Sequence, residues 1–126
     1  MSDINAIAGW AGMLGGVMSG AIAGLWFHEE NWLGGYGSWR RRLLRLGHIA
    51  FFGIGILNVL YAVTVAQLGW DVRWPASSWG LALAGVLMPL TCFLSAWRKP
   101  LRHLFVVPVA CVVIGIGGLL VGRILR

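Results

Sequence analysis

Residues 46–70 read LGHIAFFGIGILNVLYAVTVAQLGW, twenty-five positions without an aspartate, glutamate, lysine or arginine. At a rise of 1.5 Å per residue, about 20 apolar residues cross a hydrocarbon core of roughly 30 Å as a helix. A strand does not fit, because the apolar positions do not alternate in period two. Lipid also requires backbone groups to bond within the segment, which selects a helix. Residues 4–27, 74–97 and 104–122 are equally free of these four residue types. The sequence therefore predicts an all-α integral membrane protein, with four transmembrane helices over those spans. Short connections favour an antiparallel bundle in a single domain, residues 1–126, with one sizeable cytoplasmic loop at 28–45.

Composition agrees. Charged residues make up 11% of the chain, hydrophobic residues 59%, and the mean hydropathy is +0.80. A soluble domain carries roughly a quarter charged residues, so a small water-facing globule is excluded. Ala21-Ile22-Ala23 resembles a signal-peptide cleavage site. However, Met1-Ser2-Asp3 holds no basic side chain and the apolar run exceeds a signal's usual length, so helix 1 is read as retained.

The charges mark the helix ends, and their imbalance sets an orientation. Arg40, Arg41, Arg42 and Arg45 follow helix 1, and Arg98, Lys99 and Arg102 follow helix 3. Only Arg73, Arg123 and Arg126 lie at the other ends. The richer side is expected in the cytoplasm, with both termini outside. Trp26, Trp32, Trp39 and Trp97 fall near the cytoplasmic ends, and Trp70, Trp74 and Trp79 near the outer ends, where indoles favour the headgroup region. Trp10 alone lies further inside. The net charge of +6 is read as attraction to anionic lipid headgroups, with no nucleic-acid partner. Residues 39–46 are expected to lie along the headgroups as an interfacial extension of helix 2.

Small residues predict close helix contact. Gly12, Gly16, Gly20 and Gly24 form one row on helix 1, beside Ala11, Gly15, Ser19 and Ala23. Helix 2 offers Gly55 in a heptad row from His48 to Gly69, and helix 4 offers Gly115, Gly118 and Gly122. These faces serve either the bundle or contacts with a membrane-protein partner or a second copy. Intramembrane Asn58 and Tyr61 are expected to bond other helices. Pro89 interrupts helix 3 and predicts a bend or a hinge. Cys92 and Cys111 are expected at similar depth as free thiols.

Three histidines, His28, His48 and His103, fall on the cytoplasmic side, where imidazoles from different helices could hold a metal or haem iron. Their spacing does not demand such a site. Gly47-His48-Ile49-Ala50-Phe51-Phe52-Gly53-Ile54-Gly55 resembles helix starts in small membrane proteins related to haem-copper oxidase subunits. That resemblance implies haem as a cofactor and His48 as an axial ligand, with His103 or His28 opposite. The partner histidines and the longer multi-helix pattern of that group are absent here. No catalytic residue is assigned: no carboxylate lies inside a span, and Glu29 and Glu30 are expected to pair with nearby arginines. Gly34-Gly35-Tyr36-Gly37 lacks the Lys-Ser/Thr of a phosphate loop and reads as a turn. Three functions follow. The preferred one is a structural or accessory subunit without enzymatic activity or a required cofactor. The others are a haem- or metal-binding electron-transfer protein, and a small oligomeric transporter or channel.

Overall fold

The computed structural model describes residues 2–70 and 74–125. Arg73 and Arg126, two of the charges that set the expected orientation, lie outside the described residues. Within them are four helices: α1 Ser2–Gly24, α2 Trp39–Leu68, α3 Pro75–Trp97 and α4 Val106–Ile124. Two short 3₁₀ segments, Trp32–Gly34 and Lys99–Phe105, precede α2 and α4. No strand occurs among the described residues. All four helices, the last taken with Lys99–Phe105, are long and apolar enough to cross a membrane.

Local chemistry sets the helix limits, and these differ from the limits of the apolar runs. Ser38 caps α2, its hydroxyl accepting from the Arg41 N–H at 3.2 Å. The helix thus begins at Trp39 and takes in all four arginines. Arginine is a good helix former, so charge ends the apolar run without ending the helix. At the other end Gly69 adopts φ +60°, the left-handed cap for which glycine has no Cβ penalty. It is therefore a terminator and not part of a packing row. Pro75 begins α3, where a missing N–H costs nothing. The same helix runs on through buried Pro89 to Trp97.

Beside an apolar core that includes Leu81 and Ala84, the distribution of exposed residues differs from that of a water-soluble domain. Asn5, Asn58 and Ser95 are 0% exposed, whereas Ile7 is 69% and Val113 63% exposed. In water that arrangement would leave large apolar side chains outside and polar ones inside. It is the arrangement expected where the surrounding solvent is apolar.

Helices α1, α2 and α3 all touch one another, while α4 packs only on α3 and on Lys99–Phe105. Neighbours in sequence run antiparallel. Along α1 and α2, Gly9 meets Gly55 and Val59, Gly16 meets Phe52, and Gly20 meets His48. Between α3 and α4, Gly80 meets Cys111 and Ser77 meets Gly118. That last register corrects the expectation that the two thiols share a depth. Cys111 lies level with Gly80, about three helical turns of α3 from Cys92. The Lys99–Phe105 segment packs back along α3 before α4 begins, and so offsets the last helix toward the start of α3.

The least yielding glycine contacts are those where backbone meets backbone. A Cβ on Gly9 would stand 2.6 Å from the Gly55 carbonyl oxygen, and one on Gly55 would stand 2.9 Å from the Gly9 carbonyl. Gly12 faces the Phe51 carbonyl and the Gly55 Cα at 3.5 and 3.8 Å. Gly16 and Gly20 make room for the Phe52 and His48 rings, but nothing approaches Gly24. On the far side of the bundle, Gly47 admits the Phe93 ring, Gly115 admits Leu81, and Gly118 admits Ser77; Gly122 is buried. Gly9→Ala must push main chain against main chain and should cost about 1–3 kcal/mol. Gly16→Ala presses on a ring that can swing and should cost less. Gly117→Ala has nothing within 4 Å and should be neutral or slightly stabilising. Unfolding in mixed detergent checks the order, and equal effects at all three sites would refute it.

Candidate functional site

Three groups of polar side chains could carry function: a buried amide cluster, the histidines, and the arginine-rich end. The amide cluster is complete in itself. Asn58 on α2 donates both amide hydrogens, to the Ile54 carbonyl at 3.0 Å and to the Leu81 carbonyl of α3 at 2.9 Å. Its oxygen accepts from Asn5 Nδ2 of α1 at 2.7 Å. Asn5 gives its other hydrogen to the Ser78 carbonyl at 3.0 Å and accepts from the Ser78 hydroxyl. Both donors and the oxygen of each amide are therefore engaged. Tyr61 lies one turn along α2 at 2% exposure. Ser77 extends the polar layer to α4, donating to the Gly115 carbonyl at 2.6 Å. Asn5 and Ser78 escaped the sequence reading because they sit near helix starts, where polar residues look like caps. The available signal was that both lie within charge-free spans.

The structure does not bring the three histidines together. His48 packs between Gly20 and Phe52, with its ring edge-on to Phe52 at 5.3 Å. Its Nδ1 is 3.3 Å from Ser19 Oγ, and that hydroxyl donates to the Gly16 carbonyl at 3.0 Å. The Ser19 hydroxyl thus links the ring to the α1 main chain. His48 lines a 210 Å³ cavity with Gly20, Ala23, Phe27, Leu44 and Arg45. His28 is exposed and lies 3.3 Å from Glu29. His103 is exposed on Lys99–Phe105, a segment that packs on α3 and α4 and not on α1 or α2. Among the described residues no three His, Cys, Asp or Glu side chains gather as a metal site would require.

The arginine-rich end is organised around two side chains that look like ordinary headgroup anchors in the sequence. Arg41 is 2% exposed. It donates to the carbonyls of Phe27 at 3.0 Å, Glu29 at 3.3 Å and Glu30 at 3.1 Å. The rings of Phe27, Trp32 and Tyr36 surround it, with centroids 5.1, 5.5 and 5.9 Å away. One turn on, Arg45 lies 4.1 Å over the Tyr36 ring and donates to the Tyr36 carbonyl. The two arginines thereby clip the whole connection between α1 and α2. Arg41 also supplies positive charge near the carbonyl end of α1, whose last turn has no basic residue of its own. Among the described residues Glu29 and Glu30 form no ion pair with an arginine; Arg41 instead meets their backbone carbonyls. A planar guanidinium reaches several carbonyls at once and stacks on rings, which suits it to this buried position.

No protein-family model, curated protein or solved structure matches this chain.

The amide cluster gives a measurable coupling. Asn58→Ala should destabilise the protein by about 1–2 kcal/mol, leaving Asn5 with an unpaired hydrogen. Adding Asn5→Ala should cost less than it does alone, because the partner is already lost. A double-mutant cycle in unfolding free energy measures this, and strict additivity would show that the two amides do not act as a unit.

Proposed function

We propose that this chain is a multi-pass integral membrane protein acting as a structural or accessory subunit. It would pack against another membrane protein or a second copy of itself, and not perform chemistry of its own. One observation carries the reading. A groove of about 350 Å³ lies open between α1 and α3, with Ala8, Ala11, Gly12, Ala82 and Gly85 along it and Phe51, Val86, Leu90 and Phe93 completing its apolar lining. Small side chains on two helices allow a third helix to approach closely, and close packing is what drives association in lipid. Meanwhile Asn5, Asn58 and Ser78 bond one another, so the polar groups best placed to line a pathway are already in use. Extraction from the native membrane in mild detergent should yield the chain with a defined membrane-protein partner or as a discrete oligomer. A homogeneous monomer would count against the proposal.

The basic connections support an orientation with both termini outside and residues 25–38 in the cytoplasm. A C-terminal reporter active only in the cytoplasm should stay silent, and a signal would reverse the topology.

A second reading rests on His48. Its ring lines a cavity, the setting in which an imidazole nitrogen could ligate haem or a metal. The opposing ligand would be His103 or His28, neither of which lines that cavity, or a group from a partner. Absence of a Soret band in the protein from its native membrane would remove the haem form of it.

A further inference from the structure

Two cavities run together where the first turn of α2 meets the end of α3. The outer one, about 530 Å³, is lined by Ser38, Trp39, Arg40, Trp97 and Lys99. The inner one, about 290 Å³, shares Arg40 and Trp97 and continues to Leu44, one turn further along α2. Trp39 ties the two helices together beneath the cleft, its Nε1 donating to the Ser95 carbonyl at 3.0 Å. The cleft thus has a cationic mouth and an apolar interior.

The two cations at its mouth differ from their neighbours. Arg41 and Arg45 are committed to carbonyls and rings, whereas Arg40 and Lys99 have no hydrogen bond or ion pair among the described residues. The first turn of α2 and the first turn of Lys99–Phe105 hold no carboxylate, and neither Glu29 nor Glu30 lines the cleft. The positive end of a 30-residue helix adds to the same field. Trp97, 78% exposed, forms a broad aromatic wall between the charged and the apolar parts.

We propose that this cleft binds an anionic phospholipid, with the phosphate at Arg40 and Lys99 and an acyl chain running along Trp97 toward Leu44. A soluble anion would use the mouth but leave the apolar interior empty, and a zwitterionic lipid would bring its own cation to a cationic site. The proposal rests on the chain spanning a bilayer, and the experiment separates the two ideas. The full chain is reconstituted into nanodiscs of mixed phosphatidylglycerol and phosphatidylcholine. It is then released into detergent, and retained lipid is read by native mass spectrometry. A chain that does not enter the nanodiscs fails both ideas. An inserted chain that retains the two lipids equally fails only this one.

Phosphatidylglycerol should be retained over phosphatidylcholine. The double variant Arg40→Gln/Lys99→Gln should lose retention by on the order of tenfold, given the attraction of each basic side chain near an anionic surface. Arg42→Gln changes an exposed arginine that does not line the cleft and should retain lipid as the unchanged protein does. Circular dichroism confirms folding. Should the double variant unfold, Lys99→Gln alone, outside any α-helix, gives the same reading at smaller amplitude. Equal loss in Arg42→Gln would show diffuse surface charge and overturn the site. Displacement of the lipid by inorganic phosphate would overturn it as well, since the ligand would then be a free anion.

Discussion

The carboxamide of Asn58 fixes the depth at which three helices meet. In an apolar surrounding, an amide without partners is costly, and no water is at hand to replace a lost bond. Asn58 can be satisfied only where α1 presents Asn5 and α3 presents the Leu81 carbonyl. A slide of either helix by one residue would break these bonds. The glycine contacts then follow from that register. With Asn5 beside Asn58, the antiparallel run of α1 places Gly9 against Gly55, Gly16 against Phe52 and Gly20 against His48. Packing sets how close the helices come, and the amide sets which residues face each other.

The fourth helix is held by a different device. Gly80 and Gly115 let α3 and α4 approach until Cβ positions would fall 2.7 and 2.5 Å from their neighbours. Ser77 adds one hydrogen bond to the Gly115 carbonyl. Among the described residues no hydrogen bond joins α4 to α1 or α2, and the offset introduced by Lys99–Phe105 carries its end past the start of α3. Arg123 there reaches over the Trp70 ring at 5.8 Å. The arrangement is a tightly registered trio with a fourth helix attached along one edge, so much of the surface of α4 remains available to its surroundings.

The apolar runs made the helices legible because length and charge are enough to decide what crosses a hydrocarbon core. Their ends were less legible. Lys, Arg and Asp mark where lipid gives way to water, whereas Ser38 and Gly69 mark where hydrogen bonding starts and stops. Rows of small residues were visible at four-residue spacing, but the partner of each was not. Gly24 belongs to the same row as Gly16 and meets nothing within 4 Å, while Gly9 lies outside it and makes the closest approach to another helix's main chain. The amide cluster was half legible: Asn58 stood out at the centre of a span, and Asn5 did not. The role of Arg41 was not legible at all, because no local pattern separates an arginine that turns inward from three that could face headgroups.

That distinction among arginines alters what the basic end can do. A count by sequence treats Arg40, Arg41, Arg42 and Arg45 alike, as four charges able to attract anions. In the structure Arg41 is shielded by three rings and three carbonyls, and Arg45 is stacked on Tyr36. Their charge balances the carbonyls of the α1 turn and holds the connection to α2 in one shape. An external anion meets Arg40 and Arg42 on this connection, and Arg98, Lys99 and Arg102 on the next. Of these, Arg40 and Lys99 converge on one cleft although they are far apart in the chain. The two internal arginines bring this about, because by folding residues 25–38 down against α2 they place Leu33 and Gly34 as one wall of the space that Trp97 closes on the other side.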